Sequence, residues 1–176
     1  YSVVIDTVLS EGNSYGRTTL GENKKVMVEF VSANPTGPMH IGNARGGAIG
    51  DCLASVLDWA GFDVTREFYV NDAGNQIEKF ATSLEVRYLQ LYKDGIELPE
   101  DAYKGDDIIE HAKAFAEING DKFVEAESSE RRKALVDYAL PLNIAKLKSD
   151  LEKYRIFYDV WFLESGLHNS GKVMEV

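Results

Sequence analysis

Apolar positions recur along the chain with two alternating periods. Val4, Ile5, Val8 and Leu9 make a helical stripe that Gly12 closes. Lys25 to Ala33 is a β-branched and aromatic run of strand length. The next residues, SANPTGPMHIGN, hold two prolines and two glycines and predict a loop. Ala44, Ala48, Ile49, Cys52, Leu53, Val56, Leu57 and Ala60 then share one helical face, which Gly61 ends. FDVTREFYV predicts a second strand and NDAGN a turn. Ile77, Phe80, Ala81, Leu84, Tyr88 and Leu91 form another helical stripe, closed by Lys93-Asp94-Gly95. A strand, a helix of roughly five turns and a strand make a βαβ unit, so a parallel sheet with a right-handed crossover is expected.

Residues 94–150 change character. Ile108, Ile109, Ala112, Phe115 and Ala116 predict a short helix stopped at Gly120. Ser128-Ser129 can cap a longer one through Leu135, Tyr138, Ala139 and Leu142, with Pro141 expected to kink or divide it. IFYDVWFLES returns to strand composition around residues 156–163. The terminal LHNSGKVMEV reads as a helix beginning, with Ser170 as its cap and Val173 and Val176 opening a stripe. The patterns at both ends stop inside elements, so the chain reads as a piece of a longer protein. Three regions follow: 1–24 as the tail of a preceding domain or a linker, 25–93 with 151–176 as one partial domain, and 94–150 as a helical insertion.

Composition narrows the class. With 44% hydrophobic and 27% charged residues, the 176-residue chain can bury a core. No apolar run approaches the roughly 20 residues of a membrane span. No basic stretch followed by an apolar one opens the chain, so no secretory signal is expected. Cys52 is the single cysteine, which excludes an intrachain disulfide and favours a reducing cytoplasm. Nineteen basic against 29 acidic side chains give a net charge of −10, so bulk electrostatics does not favour nucleic acid.

The loop after the first strand carries the candidate chemistry. It leaves the carboxyl end of a strand and enters a helix N-terminus, where parallel sheets bind ligands and free N–H groups attract phosphate. His40 and Asn43 stand three apart, so both can donate to one anion, and Arg45 adds a nearby charge. Gly42 permits close backbone approach. As the residue that ends the loop, Asn43 is expected to carry little fold stability. No Gly-x-x-x-x-Gly-Lys-Ser/Thr and no Gly-x-Gly-x-x-Gly follows a strand, which excludes a P-loop and the dinucleotide fingerprint. His40, His111 and His168 are too dispersed in sequence to suggest a metal set or a Ser-His-Asp triad.

His40-Ile41-Gly42-Asn43 resembles the HIGH signature of class I aminoacyl-tRNA synthetases. The wider run VEFVSANPTGPMHIGNARGGAIGD, Val28 to Asp51, resembles the arginyl-tRNA synthetase family. So do VTREFYVNDAGNQIEKFA, YKGDDI and FYDVWFLESGLH. The resemblance implies an α/β chain, the first half of a Rossmann-like nucleotide-binding fold with a HIGH-type loop and a mainly helical insertion. It implies a two-step ligase that makes arginyl-adenylate from L-arginine and ATP, then passes the arginyl group to tRNA(Arg). Magnesium is expected on the ATP phosphates, the whole enzyme is expected to be a monomer, and no membrane is involved. His40 and Asn43 would be catalytic and, with Pro38 and Gly42, would meet ATP. Glu29, Ser32 and Asn34 match strand-end positions that line the arginine pocket, and a carboxylate such as Glu29 suits a guanidinium.

Asp72, Asn75 and Gln76 end the second strand at the same sheet edge and are candidates to line the site; they read equally as an Asx-type turn with a helix cap. Trp59, Trp161 and the FYDVWF aromatics read as core. Position 43 is Asn where the signature usually has His, which keeps a donor without charge. The family's lysine loop, second half-fold and anticodon-binding domain have no counterpart in the sequence, so the chain alone is expected to be inactive. Two alternatives stay open: a nucleotidylyltransferase with the same type of loop, and a non-catalytic module derived from a synthetase.

Overall fold

The computed structural model describes residues 1–171. Three strands, β1 (Lys25–Glu29), β2 (Asp63–Val70) and β3 (Val160–Leu163), form one sheet in the order β1-β2-β3. Both pairings are parallel, with Glu67 of β2 opposite Glu29 on one side and Val160 on the other. Helix α1 (Ser2–Glu11) opens the chain, and α2 (Ile41–Trp59) joins β1 to β2. Helices α3 (Asn75–Leu89), α4 (Asp106–Asn119) and α5 (Ser128–Lys153) lie between β2 and β3, and α6 (Glu164–Asn169) follows β3. The expected α/β class with a parallel sheet is the observed one.

Two apolar clusters hold these elements. Val28, Phe30, Phe68 and Val70 of the sheet region pack with Ala54 of α2 and with Leu147, Leu151 and Ile156. Trp161 stacks on Phe68 with ring centroids 4.3 Å apart, as its reading as core requires. Tyr158 lies against Phe30, Phe68 and Trp161 and donates its hydroxyl to the Phe30 carbonyl at 3.0 Å. Burial first, and then Asp51, push its phenol well above the ordinary range. The second cluster joins α3, α4 and α5 through Phe80, Leu84, Tyr88, Ile108, Phe115 and Leu135. Helix α5 belongs to both: Leu135 and Ala139 enter the helical cluster, Leu147 and Leu151 the sheet cluster.

Several expectations need correction. The first strand ends at Glu29 rather than Ala33, because Val31 and Ser32 take left-handed φ values of 69° and 45°. The third strand is confined to 160–163. Pro141 does not divide α5, which is one helix of 26 residues. The residue before α5 is Glu127 with no side-chain cap, and the Ser128 hydroxyl goes to Glu85 instead. Ser170 follows α6 rather than starting a helix, and Val173 and Val176 lie outside the described residues. Trp59 is 38% exposed beneath the Arg17 guanidinium, and Phe157 is exposed, so neither is core. The α1 stripe of Val4, Ile5, Val8 and Leu9 also lies exposed.

The largest correction concerns α2. Ile49 and Val56 are each 65% exposed, and Cys52 and Leu53 are exposed beside them. The buried face is Gly47, Gly50 and Ala54. A Cβ on Gly50 would stand 2.2 Å from the Phe30 ring, and one on Gly47 would stand 2.8 Å from Ile156. The helix approaches the sheet by its smallest residues. Gly50→Ala is therefore expected to destabilise the fold by about 1–3 kcal/mol through overpacking. Gly46, one turn earlier, has nothing within 4 Å of its would-be Cβ. Gly46→Ala should gain about 0.5–1 kcal/mol from helix propensity. Urea unfolding midpoints of the two variants should move in opposite directions.

The helical cluster also contains a buried ion group. Glu85 accepts from Ser128 Oγ at 2.7 Å, Arg131 Nε at 3.0 Å and Arg132 Nε at 2.5 Å. Arg131 also donates to the carbonyls of Phe123, Val124 and Ala126. Burial alone would raise the Glu85 carboxyl, but Ser128, Arg132 and Arg131 together outweigh it and hold it below the ordinary carboxylate value. A depressed folded pKa gives stability that is present above the unfolded value near 4.3 and is lost as pH falls through the folded one. Glu85→Ala should cost about 3–5 kcal/mol near neutral pH, because it strands buried guanidinium charge. In acid titrations of stability, its deficit against the unmodified protein should narrow as pH falls below about 4.

Candidate active site

The site begins where β1 breaks. Left-handed φ at a β-branched residue is rare, and such residues cost about 1–3 kcal/mol each. Val31 and Ser32 adopt it in succession. The turn lets the Ser32 N–H reach the Phe30 carbonyl at 3.0 Å. It also directs Ser32 Oγ to donate to Glu29 at 2.7 Å while accepting from the Tyr69 N–H at 3.2 Å. Ser32 thus joins the carboxyl ends of β1 and β2 and fixes the Glu29 carboxylate beside them.

The other side of the site is the start of α2. His40 is its N-cap, and its Nδ1 accepts from the Gly42 N–H at 3.1 Å. Asn43 Oδ1 accepts from the His40 N–H at 3.0 Å, which completes a capping box. An imidazole accepting at Nδ1 carries its proton on Nε2. Asn43, having used its oxygen, has its amide protons for another acceptor. Asn43 lies at the helix N-terminus, as expected, and forms part of its cap; the helix starts at Ile41, three residues before Ala44.

Both side chains line one cleft of about 470 Å³, together with Ser32, Asn34 and Pro38. The loop residue Thr36 and, from the segment entering α4, Tyr103, Gly105 and Asp107 complete the wall. Gly42 is not in that wall. A Cβ there would meet His40 Cε1 at 2.9 Å, so this glycine makes room for the capping imidazole. Glu29 reaches the wall through Ser32, and Arg45 lies outside it.

The three turn residues separate. Asp72 receives the Ser165 N–H at 2.8 Å and the Ser165 hydroxyl at 2.6 Å, which ties the end of β2 to the start of α6. Asn75 is exposed in the first turn of α3. Gln76 touches the cleft indirectly: the Tyr103 hydroxyl donates to its Oε1, and Thr36 Oγ1 donates to that hydroxyl at 3.4 Å. Burial, and then the charges of Glu164, Asp72 and Glu29, push the Tyr69 phenol above its ordinary value. Glu164, Asp72 and Glu29 thus stand close enough to Tyr69 to act on it. Tyr103 and Asp107 were not singled out as site residues from sequence, although YKGDDI stood out; no local pattern says that a helical segment 60 residues on folds back over the loop.

A family model described as tRNA synthetases class I (R), catalytic domain, matches residues 4–104. The chain belongs to this family. The arginine–tRNA ligase of Ruminiclostridium cellulolyticum is 62% identical over 173 residues, which are 97% of this chain and 31% of that protein. The arginine–tRNA ligase of Caldanaerobacter subterraneus subsp. tengcongensis is 64% identical over 165 residues, 94% of this chain and 29% of that protein. A crystal structure named as an arginyl-tRNA synthetase from Campylobacter jejuni superposes with a TM-score of 0.80 at 33% identity, covering 96% of this chain and 36% of that one. The chain spans about 31% of the length of the curated relatives it matches. Membership of this class I family leaves the nucleotidylyltransferase alternative without support, and the Rossmann-like reading of the parallel sheet stands. Among the described residues, no helix is long and apolar enough to cross a membrane.

The capping box makes a stability prediction. Asn43→Ala removes one of its two bonds and should lower stability by about 0.3–1.5 kcal/mol. Asn43→Asp retains the accepting oxygen and should stay near the unmodified protein in thermal unfolding.

Proposed function

We propose that the cleft is the amino-acid activation site of an arginine–tRNA ligase, which joins L-arginine to ATP and then charges tRNA(Arg). The observation that carries this is the gathering of Ser32, Asn34, Pro38, His40 and Asn43 around one cavity at a helix N-terminus. The guanidinium pairs with the Glu29 carboxylate, which the Ser32 hydroxyl fixes. The carboxylates of Glu164, Asp72 and Glu29 near Tyr69 favour the same cation. Asn34 holds the amino-acid head.

In the first step an arginine carboxylate oxygen attacks the α-phosphorus of ATP. A new P–O bond forms as the bond to the departing pyrophosphate breaks. His40 Nε2–H and the Asn43 amide stabilise charge on the phosphates, and the α2 N-terminus adds its dipole. Pro38 and the backbone near Gly42 bound the nucleotide. Magnesium would enter as part of the substrate, bound to the ATP phosphates, and would supply countercharge to them. Asp72 supports the sheet edge through Ser165, Gln76 acts through Tyr103, and Asn75 is left exposed beside the site. The activity is that of the whole ligase, a cytoplasmic monomer, of which this chain supplies the signature-loop part. We take residues 94–150 as an insertion into a nucleotide-binding unit of 25–93 and 151–176, with 1–24 as the tail of a preceding domain or a linker; the change of sequence character at residue 94 supports this division, although α3 packs with α4 and α5 in the helical cluster.

The test is arginine-dependent ATP–pyrophosphate exchange by the whole ligase with tRNA(Arg) present. Glu29→Gln should lower kcat/KM for arginine by about 2–5 kcal/mol of transition-state binding and leave the KM for ATP nearly unchanged. Unaltered use of arginine by that variant would remove Glu29 from the pocket. Absence of exchange in the unmodified protein would favour a non-catalytic module instead.

A further inference from the structure

The loop between β1 and α2 is held from a distance. Asn143, in the middle of α5 and 8% exposed, donates its Nδ2 to the Pro35 carbonyl at 2.9 Å, across 108 positions of sequence. Its Oδ1 lies 2.7 Å from Nε2 of His111 on α4. The amide has one donor end and one acceptor end, and the Pro35 carbonyl can only accept. Oδ1 must therefore face His111, which must donate from Nε2. Neither His111 nor Asn143 lines the cleft.

The position of Asn143 on its helix makes the pairing specific. Leu135, Ala139, Leu147 and Leu151 are buried at intervals of four along α5, and Asn143 occupies the middle of that stripe. A leucine there would continue the apolar stripe at no desolvation cost. The amide interrupts it where the loop carbonyl arrives, and a buried amide is tolerated only when both ends are bonded. Pro35 stands next to Asn34 and five residues before His40, both of which line the cleft.

We propose that His111 and Asn143 are positioning residues for the activation step. The helical unit uses them to hold the loop so that Asn34 and His40 keep their places around the reacting groups. This rests on the reading of the cleft as the activation site. His111 orients the Asn143 amide, Asn143 holds the Pro35 carbonyl, and the loop transmits that position to the cleft.

The test compares His111→Phe, which removes the donor, with His111→Gln, whose amide nitrogen can replace Nε2, in the whole ligase. His111→Phe should lower kcat of arginine-dependent ATP–pyrophosphate exchange about 10–100-fold, the scale of a misplaced reacting group. The KM values for arginine and ATP should stay within about threefold, because ground-state contacts remain. His111→Gln should restore most of kcat. Amide hydrogen exchange of residues 34–40 in the ligand-free enzyme should speed up in His111→Phe and return towards normal in His111→Gln. A merely structural histidine would lower the unfolding temperature in both variants and leave kcat in place, which would overturn the proposal. So would a His111→Gln variant as slow as His111→Phe. If the unmodified ligase shows no exchange activity with tRNA(Arg) present, the activation reading fails, and amide exchange at residues 34–40 still decides whether this pair holds the loop.

Discussion

The distance between α2 and the sheet governs the site. The Phe30 ring occupies the space that any side chain at position 50 would need, and Gly47 makes similar room for Ile156. Ala54, fully buried, continues this small-residue face towards the C-terminal end of the helix. Only so close an approach carries the N-terminus of α2 to the carboxyl ends of β1 and β2. The cap formed by His40 and Asn43 then faces the same cleft as Ser32 and Asn34. The cost is paid in backbone conformation at Val31 and Ser32, where the chain has to turn out of the sheet within two residues.

The C-terminal end of α2 is equally determined. The carbonyls of Trp59, Ala60 and Gly61 accept from the N–H groups of Thr18, Gly21 and Asn23, at 3.0, 2.8 and 2.9 Å. Arg17 pairs with Asp58 at 3.1 Å and lies over the Trp59 ring. Residues 17–24 thus satisfy carbonyls that a helix end leaves open, and they lead directly into β1 with its first residue opposite Asp63. These residues, at the end of the stretch read as a domain tail or a linker, close the helix that carries the signature.

Buried polar groups do the corresponding work in the helical unit. Glu85 draws Ser128, Arg131 and Arg132 to one carboxylate, which fixes the start of α5 against α3. Farther along the same helix, Asn143 meets the loop. Apolar contacts would tolerate a small rotation or slide of α5. Directional bonds at two places along it do not, so the helix that shares both apolar clusters also fixes their relation.

Much of this was legible in the sequence. Strand runs, the Pro- and Gly-rich loop, the glycines that end helices and the His-x-Gly-Asn spacing are local patterns, and local patterns determined the α/β class, the element order and the loop that carries the candidate chemistry. Hydropathy misplaced the inner face of α2, because it reports which side chains gain from burial and not how much space a neighbour leaves; Phe30 decided for Gly47 and Gly50 over Ile49 and Val56. The local rule for proline expects Pro141 to kink or divide α5 and takes no account of the apolar contacts on either side, across which α5 runs as one helix. Tyr103 and Asp107 fall in a run that resembles the family, but no local pattern at these residues, at His111 or at Asn143 points to the loop. They reach the loop from 60 to 110 residues away, and such a meeting is fixed only when the chain has closed around both apolar clusters. The sequence by itself determined which polar groups the loop carries; the tertiary structure decided what holds them in place, since a hydrogen bond between distant residues exists only after packing has brought its two ends together.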